Sequence, residues 1–402
     1  MTTSTITTDI ALFDKCRRYT QVDEVKAQGL YPYFKPISES EDTVVTIEGL
    51  KRIMLGSNNY LGLTHHPKVL EAATRALHLY GSGCTGSRFL NGTLDLHLQL
   101  EDALAKFLGK EDCIVFSTGY NANLGLISGL VGKSDTVFLD KLDHASIVDG
   151  AKMSYGSTER FNHDDLDNLE RKLARAPETG GRMVVVDGVY SMEGDIANVP
   201  ELLKVCRKYG AALAIDDAHS IGVLGPNGDG TAAHFGLTDE VDIIAGTFSK
   251  SLASIGGFVA GSKSVINFLR HHSRPLIFTA ALPPANTAGV LAALEVLQRE
   301  PERRAQLWDN TKRLADGFRS LGFHVGPTQT PIIPILIGPL DRTLVMWRKV
   351  FDAGIFTNPV VPPAVPPSQC RLRTSLMATH TPDQIDYCLE TIGKLGRELG
   401  VI

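Results

Sequence analysis

The stretch "MVVVDGVYSMEGDIANVPELLKVCRKYGAALAIDD", Met183 to Asp217, decides the fold. It opens on an apolar run, passes through a polar turn, continues as "VPELLKVCRKYG", and closes on a second apolar run, "ALAI", that ends in two acids. The middle segment reads as a helix, with Pro200 in its first turn and Gly210 placed to end it. Short apolar runs without alternation read as strands buried on both faces. Strand, helix, strand is one unit of an α/β fold, and the pattern extends outward through "CIVF", "TVFLD" and "DIIAG" between about residues 113 and 260. Such alternation predicts a mostly parallel sheet, in which ligands sit at the carboxyl ends of the strands.

Around this unit the chain divides three ways. Residues 1–45 are polar and weakly patterned apart from "YPYF" at Tyr31 to Phe34, and read as an arm. Residues 46–285 form the large domain, which includes "HPKVLEAATRALHLYG", where Val69, Leu70, Ala73, Ala76, Leu77 and Tyr80 share a helical face that Gly81 ends. Residues 286–402 mix helices with strand candidates "IIPILIG" and "RLRTSL" and a loop "NPVVPPAVPPSQ", which predicts a smaller α+β domain. It closes on a helix opened by "THTPDQ", with Thr381 and Gln384 as a capping box and Pro382 in the first turn.

The composition excludes several classes of function. With 402 residues, 43% apolar, the chain can fill a large core, and a net charge of -5 with cations scattered among acids offers no basic field to nucleic acid or an anionic membrane. Cys16, Cys84, Cys113, Cys206, Cys370 and Cys388 lie far apart, which argues against a metal site or a disulfide framework and makes a cytoplasmic location the expectation. The opening "MTTSTITTDIALFDKCRRYT" has no export signal, and no apolar run approaches the ~20 residues of a membrane span.

Polar residues gather after the apolar runs, as "STGYNAN", "KLDHASI", "GVYSMEGD", "DDAHS" and "GTFSKS". Singly, each is most simply a structural histidine or a solvated turn. Together they fit one ligand. A lysine among small residues, Lys250, can form a Schiff base with an aldehyde, and "STGY" ahead of a helix presents N–H groups and hydroxyls to a phosphate. The aldehyde that carries a phosphate is pyridoxal phosphate. An acid at the mouth of the sheet then holds its pyridine nitrogen protonated, and Asp216, directly after "ALAI", is the candidate. The bland reading of Asp216 and Asp217, a helix cap followed by a first-turn acid, stays open for Asp217.

The ordered motifs "GSGCTGSRFLNGT", "FSTGYNAN", "DHASI", "GVYSMEGDIAN", "DDAHSIG" and "GTFSKSLASIGGF" resemble the α-oxoamine synthases, fold-type I, aminotransferase-like pyridoxal-phosphate enzymes that condense an amino acid with an acyl thioester and release carbon dioxide. The resemblance runs from about Tyr31 to the C-terminus, and "YPYF", "GSRFLNGT", "GVYSMEGDIA" and "FTAALPP" are most similar to the bacterial serine palmitoyltransferase branch. It implies that Lys250 carries the cofactor and that Asp216 binds its ring nitrogen. By the same resemblance His219 contacts the ring hydroxyl near Ser191, and His144 stacks on the ring. Gly119, Tyr120, Thr247 and Ser249 are implied as phosphate ligands, with Thr279 completing that site from the second subunit of a homodimer with shared active sites. Ala280 departs from the hydroxylated residue often found there. Arg373 in "RLRTSL" is implied to anchor the amino-acid carboxylate, and Asn59 in "GSNNYLG" to lie in a segment lining the same pocket.

The implied reaction joins L-serine to a long-chain acyl-CoA, palmitoyl-CoA, to give 3-ketosphinganine, carbon dioxide and CoA, the first step of sphingolipid synthesis. Two alternatives stay open at this point. One is a sister activity with glycine or alanine or another acyl thioester, of the 8-amino-7-oxononanoate synthase or 2-amino-3-ketobutyrate CoA ligase type. The other is a non-catalytic subunit, against which the presence of Lys250 speaks. A nucleotide-binding reading lacks both the Walker pattern and a dinucleotide fingerprint.

Overall fold

A computed structural model describes residues 10–402; residues 1–9 of the expected arm lie outside the described residues. Three antiparallel strands come first, β1 (Ile37–Glu41), β2 (Val44–Ile47) and β3 (Leu50–Met54). Seven more follow: β4 (Asp112–Phe116), β5 (Thr136–Asp140), β6 (Ser157–Phe161), β7 (Arg182–Asp187), β8 (Ala212–Asp216), β9 (Ile243–Thr247) and β10 (Gly257–Gly261). These form one sheet in the order β4-β10-β9-β8-β7-β5-β6. β10 runs antiparallel to both of its neighbours, and the other paired strands are parallel.

The unbroken apolar runs have a direct cause. Along β7, Val184 and Val186 point into one apolar core while Met183 and Val185 point into another, and Leu213 and Ile215 on β8 are divided from Ala214 in the same way. Each strand is buried on both faces, so no polar residue interrupts it. Two strands lie beyond the five read from sequence. β6, "STERF", is an edge strand whose first four residues are exposed, and β10, "GFVAG", is buried but built largely of glycine and alanine. Neither composition announces a strand.

The helix Val199–Lys208 buries Val199, Leu202, Leu203 and Cys206, with Pro200 in its first turn and Gly210 beyond its end at φ +61°. The helix Pro67–Tyr80 ends at Gly81 as expected, but its apolar face is only partly covered. Val69 and Ala76 are buried, whereas Leu70 and Leu77 stay 49% and 45% exposed.

In the last third, β11 (Ile332–Gly338), β12 (Ile355–Phe356), β13 (Asn358–Val360) and β14 (Cys370–Ser375) complete the set. β11, β14 and β13 form an antiparallel sheet, while β12 pairs in parallel with β3. An early segment, residues 37–54, and a late one, Ile355–Phe356, therefore meet in one small sheet, and residue 45, the boundary read from sequence, falls inside β2. The final helix, Pro382–Glu398, carries the expected capping box between Thr381 and Gln384. Among the described residues no helix is long and apolar enough to cross a membrane.

Candidate active site

The parallel strands end on the same side. Asp140 closes β5, Asp187 closes β7, Asp216 closes β8 and Thr247 closes β9, with Asp187 and Asp216 side by side in register. Beyond these ends lies a cavity of about 400 Å³, and the residues lining it include Gly119, Tyr120, His144, Ser191, Asp216, His219, Thr247, Ser249 and Lys250. Nine of the twelve residues proposed from sequence thus surround one space.

One end of the cavity is a cradle of N–H groups and hydroxyls. Thr118 caps the helix Gly119–Leu130 by accepting from Asn121 N at 3.0 Å, so the first turn presents N–H groups toward the site. A Cβ on Gly119 would stand 2.6 Å from Thr247 Cβ, and one on Gly257 would stand 2.5 Å from Gly119 Cα. Only glycine lets these backbones approach so closely. Thr247 Oγ1 lies 2.9 Å from Ser249 Oγ and donates to Gly256 O at 3.0 Å. The Tyr120 phenol donates to Asp149 on the neighbouring helix Ala145–Met153.

The other end is acidic. Asp216 Oδ2 accepts from Asn123 Nδ2 at 2.6 Å, and its Oδ1 accepts from Ala218 N at 2.9 Å. Burial, and then the neighbouring Asp216, push the Asp187 carboxyl well above the usual range. Asp143 is shifted the same way by burial and by Asp187, and it ties β5 to β7 by accepting from Asp140 N and Asp187 N at 2.9 and 3.0 Å. Lys250 lines the same cavity as Asp187, Asp216, Thr247 and Ser249. Burial pushes its ammonium down to about 8, although Asp216 and Asp187 oppose that shift. Burial also lowers His144, and it holds His219 well below the usual imidazole value. His219 Nδ1 sits 2.7 Å from the Tyr60 hydroxyl, which burial pushes up to about 12, so the neutral phenol donates to it.

Three expected residues lie outside the cavity lining. Arg373, on β14, is buried, and its Nε donates to Ser191 O at 2.7 Å while Nη2 donates to Asn58 Oδ1 at 3.0 Å. It is near enough for its charge to depress both Lys250 and His219. Asn59 does not line this cavity. Its Nδ2 donates to Asp42 and Thr64, and its Oδ1 accepts from Leu63 N at 3.0 Å, so it braces the turn while Asn58 reaches Arg373. Thr279 lies outside its own chain's cavity, beside the Ser87–Ala280 bridge and next to Phe278, which is 73% exposed.

Sequence reasoning passed over Asn123, Ser146, Asp187 and Tyr60. Asn123 had a usable signal, since it falls four residues after Gly119 and so shares its helix face. Asp187 had one too, because it closes "MVVVD" as Asp216 closes "ALAID". Tyr60 comes from a distant segment and had none.

The residues present fit a phosphorylated pyridine aldehyde. The glycine-lined cradle admits a phosphate where a Cβ would block it, the amine suits the aldehyde, and Asp216 offers a carboxyl oxygen to a protonated ring nitrogen. The aminotransferase class I and II family matches residues 51–392. The serine palmitoyltransferase of Sphingobacterium spiritivorum is 49% identical over 387 residues, covering 96% of this chain and 97% of that protein. That of Bacteroides ovatus is 47% identical, covering 97% and 99%. An 8-amino-7-oxononanoate synthase from Thermoanaerobacter pseudethanolicus is 39% identical over 383 residues, covering 95% and 97%. A high-resolution structure of SPT with PLP internal aldimine superposes with a TM-score of 0.94 at 39% identity, covering 97% of this chain and 99% of that one. On these grounds the chain belongs to the aminotransferase class I and II family, in its α-oxoamine synthase branch of pyridoxal-phosphate enzymes.

Proposed function

We propose that this chain condenses L-serine with a long-chain acyl-CoA, palmitoyl-CoA in type, to give 3-ketosphinganine, carbon dioxide and CoA, the first step of sphingolipid synthesis. The observation that carries the choice of serine is structural: the SPT structure superposes with a TM-score of 0.94 at 39% identity, against 0.74 at 28% for an 8-amino-7-oxononanoate synthase, while the relatives named serine palmitoyltransferase at 49% and 47% stand above the synthase at 39%. The cavity-lining, readily deprotonated Lys250 supports a working enzyme over a non-catalytic subunit.

Pyridoxal phosphate, when bound, supplies an electron sink for negative charge at the amino-acid Cα. In this reading the cradle of Gly119, Tyr120, Thr247 and Ser249 holds its phosphate, Asp216 its ring nitrogen and His219 its ring hydroxyl. Arg373 orients the serine carboxylate through its guanidinium fork. With its ammonium lowered to about 8, Lys250 is partly neutral near physiological pH, and Nζ accepts the Cα proton. Cα then bonds to the acyl carbonyl carbon, the thioester C–S bond breaks to release CoA, the carboxylate leaves as carbon dioxide, and Lys250 Nζ returns the proton to Cα. His144 covers the reacting face and excludes water.

We place the site in a homodimer, with Thr279 reaching the partner's phosphate cradle. Its position outside its own cavity supports this, as does the apolar surface beside it, where Phe278 and Leu90 are 73% and 77% exposed. Ala280 offers no side-chain hydroxyl to that cradle. Residues 46–285 then hold the cofactor and 286–402 supply Arg373. The six free thiols support a cytoplasmic location. The test is a matrix of serine, glycine and alanine against acyl-CoA chain lengths, with products identified by mass. Serine with palmitoyl-CoA should give the highest kcat/KM; a preference for alanine with a shorter acyl donor would move the chain to the sister activity.

A further inference from the structure

Between the carboxylate at the end of β8 and His144 runs a short buried chain of polar side chains. Asn123 is 3% exposed, Ser146 1% and Asp216 6%. Asn123 Nδ2 lies 2.6 Å from Asp216 Oδ2 and 2.8 Å from Ser146 Oγ, and Ser146 Oγ lies 2.7 Å from His144 Nδ1.

The directions of these bonds follow from what each group can donate. An ionised carboxylate only accepts, so the Asn123 amide must turn its nitrogen toward Asp216. The second hydrogen of that nitrogen points at Ser146, whose oxygen accepts it. Ser146 has one hydrogen of its own left, and it goes to His144 Nδ1. The backbone N–H of Ser146, which opens the helix Ala145–Met153, points at the same ring nitrogen from 3.3 Å. Two donors therefore converge on Nδ1, which has to supply a lone pair to both. The arrangement is kept at a cost, because Asn123 Oδ1 is buried without a hydrogen-bond partner.

We propose that Asn123 and Ser146 are positioning residues whose one-way run of hydrogen bonds holds Asp216 in place and fixes His144 in the tautomer with Nδ1 bare and the proton on Nε2. The inference rests on the reading of Asp216 and His144 as cofactor-facing residues. The charged groups that act on the ring agree with it: burial and Lys250 disfavour a second proton on His144, against the pull of Asp216, and Asp187 Oδ2 is taken up by the His144 backbone N–H at 3.1 Å. The consequence for the site is that the free edge of His144 can donate a hydrogen bond but cannot accept one.

The test is long-range proton–nitrogen NMR of the holoenzyme carrying isotope-labelled histidine, with the His144 ring identified by its disappearance in His144→Gln. The wild type should show a pyridine-like Nδ1 and a pyrrole-like Nε2. Ser146→Thr, which keeps the hydroxyl, should preserve that signature. In Asn123→Asp the new carboxyl takes the Ser146 proton, Ser146 turns a lone pair toward the ring, and a form protonated at Nδ1 should appear. Asn123→Leu removes both donors without adding an acceptor and should give a mixture of tautomers, so it carries the test should the aspartate variant not fold. A wild-type ring protonated at Nδ1 would overturn the inference, as would an unchanged ring in Asn123→Leu. The tautomer is read without substrate, so a different substrate preference in the assay matrix would leave this result standing.

Discussion

Replacing Arg373 by alanine separates substrate recognition from cofactor binding. The guanidinium is buried and held before any substrate arrives, by Ser191 O at 2.7 Å and Asn58 Oδ1 at 3.0 Å. Its direction is therefore fixed in advance, and little ordering remains when a carboxylate binds. Removing one partner of a buried, hydrogen-bonded charge pair costs about 2–5 kcal/mol. The site opens to water when empty, so the lower part of that range applies, about 2–4 kcal/mol. At roughly 1.4 kcal/mol per factor of ten, serine should bind about 30-fold to nearly 1,000-fold more weakly. The assay is titration of the cofactor-loaded protein with L-serine in the absence of acyl-CoA, followed by the cofactor's absorbance. Ethanolamine, which has no carboxylate, should bind the wild type and Arg373→Ala alike, and Arg373→Lys, which keeps charge but loses the fork, should fall between. Serine affinity within about twofold of wild type, together with a lowered Tm, would reduce Arg373 to a tie between β14 and the segment at Ser191.

Three further outcomes follow from the same geometry. Burial depresses Lys250 from 10.5 to about 8, so the stability this group contributes is present above pH 10.5 and lost as the pH falls through 8. Cofactor-free Lys250→Met should therefore be more stable than cofactor-free wild type below pH 8, by on the order of 3 kcal/mol in urea unfolding, with the gap closing toward pH 10.5; a gap that does not change with pH contradicts this. Burial opposes charge on His163, but its hydrogen bonds to Asp140 and Asp195 raise it from 6.5 to about 10, which makes its stabilisation complete below pH 6.5 and lost as pH rises through 10. His163→Gln should cost about 3 kcal/mol at pH 7, progressively less as the pH rises toward 10 and almost nothing above it, and equal Tm values at pH 7 would exclude the ion pair. Mixing inactive Lys250→Ala chains with a Thr279 variant bulky enough to block the partner's cradle should restore a fraction of activity, because one hybrid site carries neither defect. No recovery under demonstrated subunit exchange would confine Thr279 to its own chain.

How far the sequence carried depended on where each residue lies in the chain. The parallel core was legible because strands buried on both faces leave uninterrupted runs such as "MVVVD" and "ALAID", and the acids closing them mark the mouth of the sheet. β6 and β10 were hidden, one by its exposed edge and the other by its small residues. The pairing of β3 with β12 joins segments about 300 residues apart, which no local pattern records. In the site, the residues directly after strands were readable, whereas the choice between Asn58 and Asn59 turned on a single position. Adjacent identical residues on a turn face opposite ways, and only the fold shows that Asn59 braces Leu63 while Asn58 meets Arg373. Tyr60 escaped notice because its partner, His219, is 159 positions away.

The claim on which the rest depends is that the cavity amine, Lys250, is the point of attachment for pyridoxal phosphate. Borohydride reduction of the cofactor-saturated protein, followed by proteolysis and mass mapping, reads that attachment directly. The added phosphopyridoxyl mass should fall on the peptide containing Lys250, and Lys250→Ala should carry none. The same mass on another lysine, or on none in saturated protein, would contradict the account.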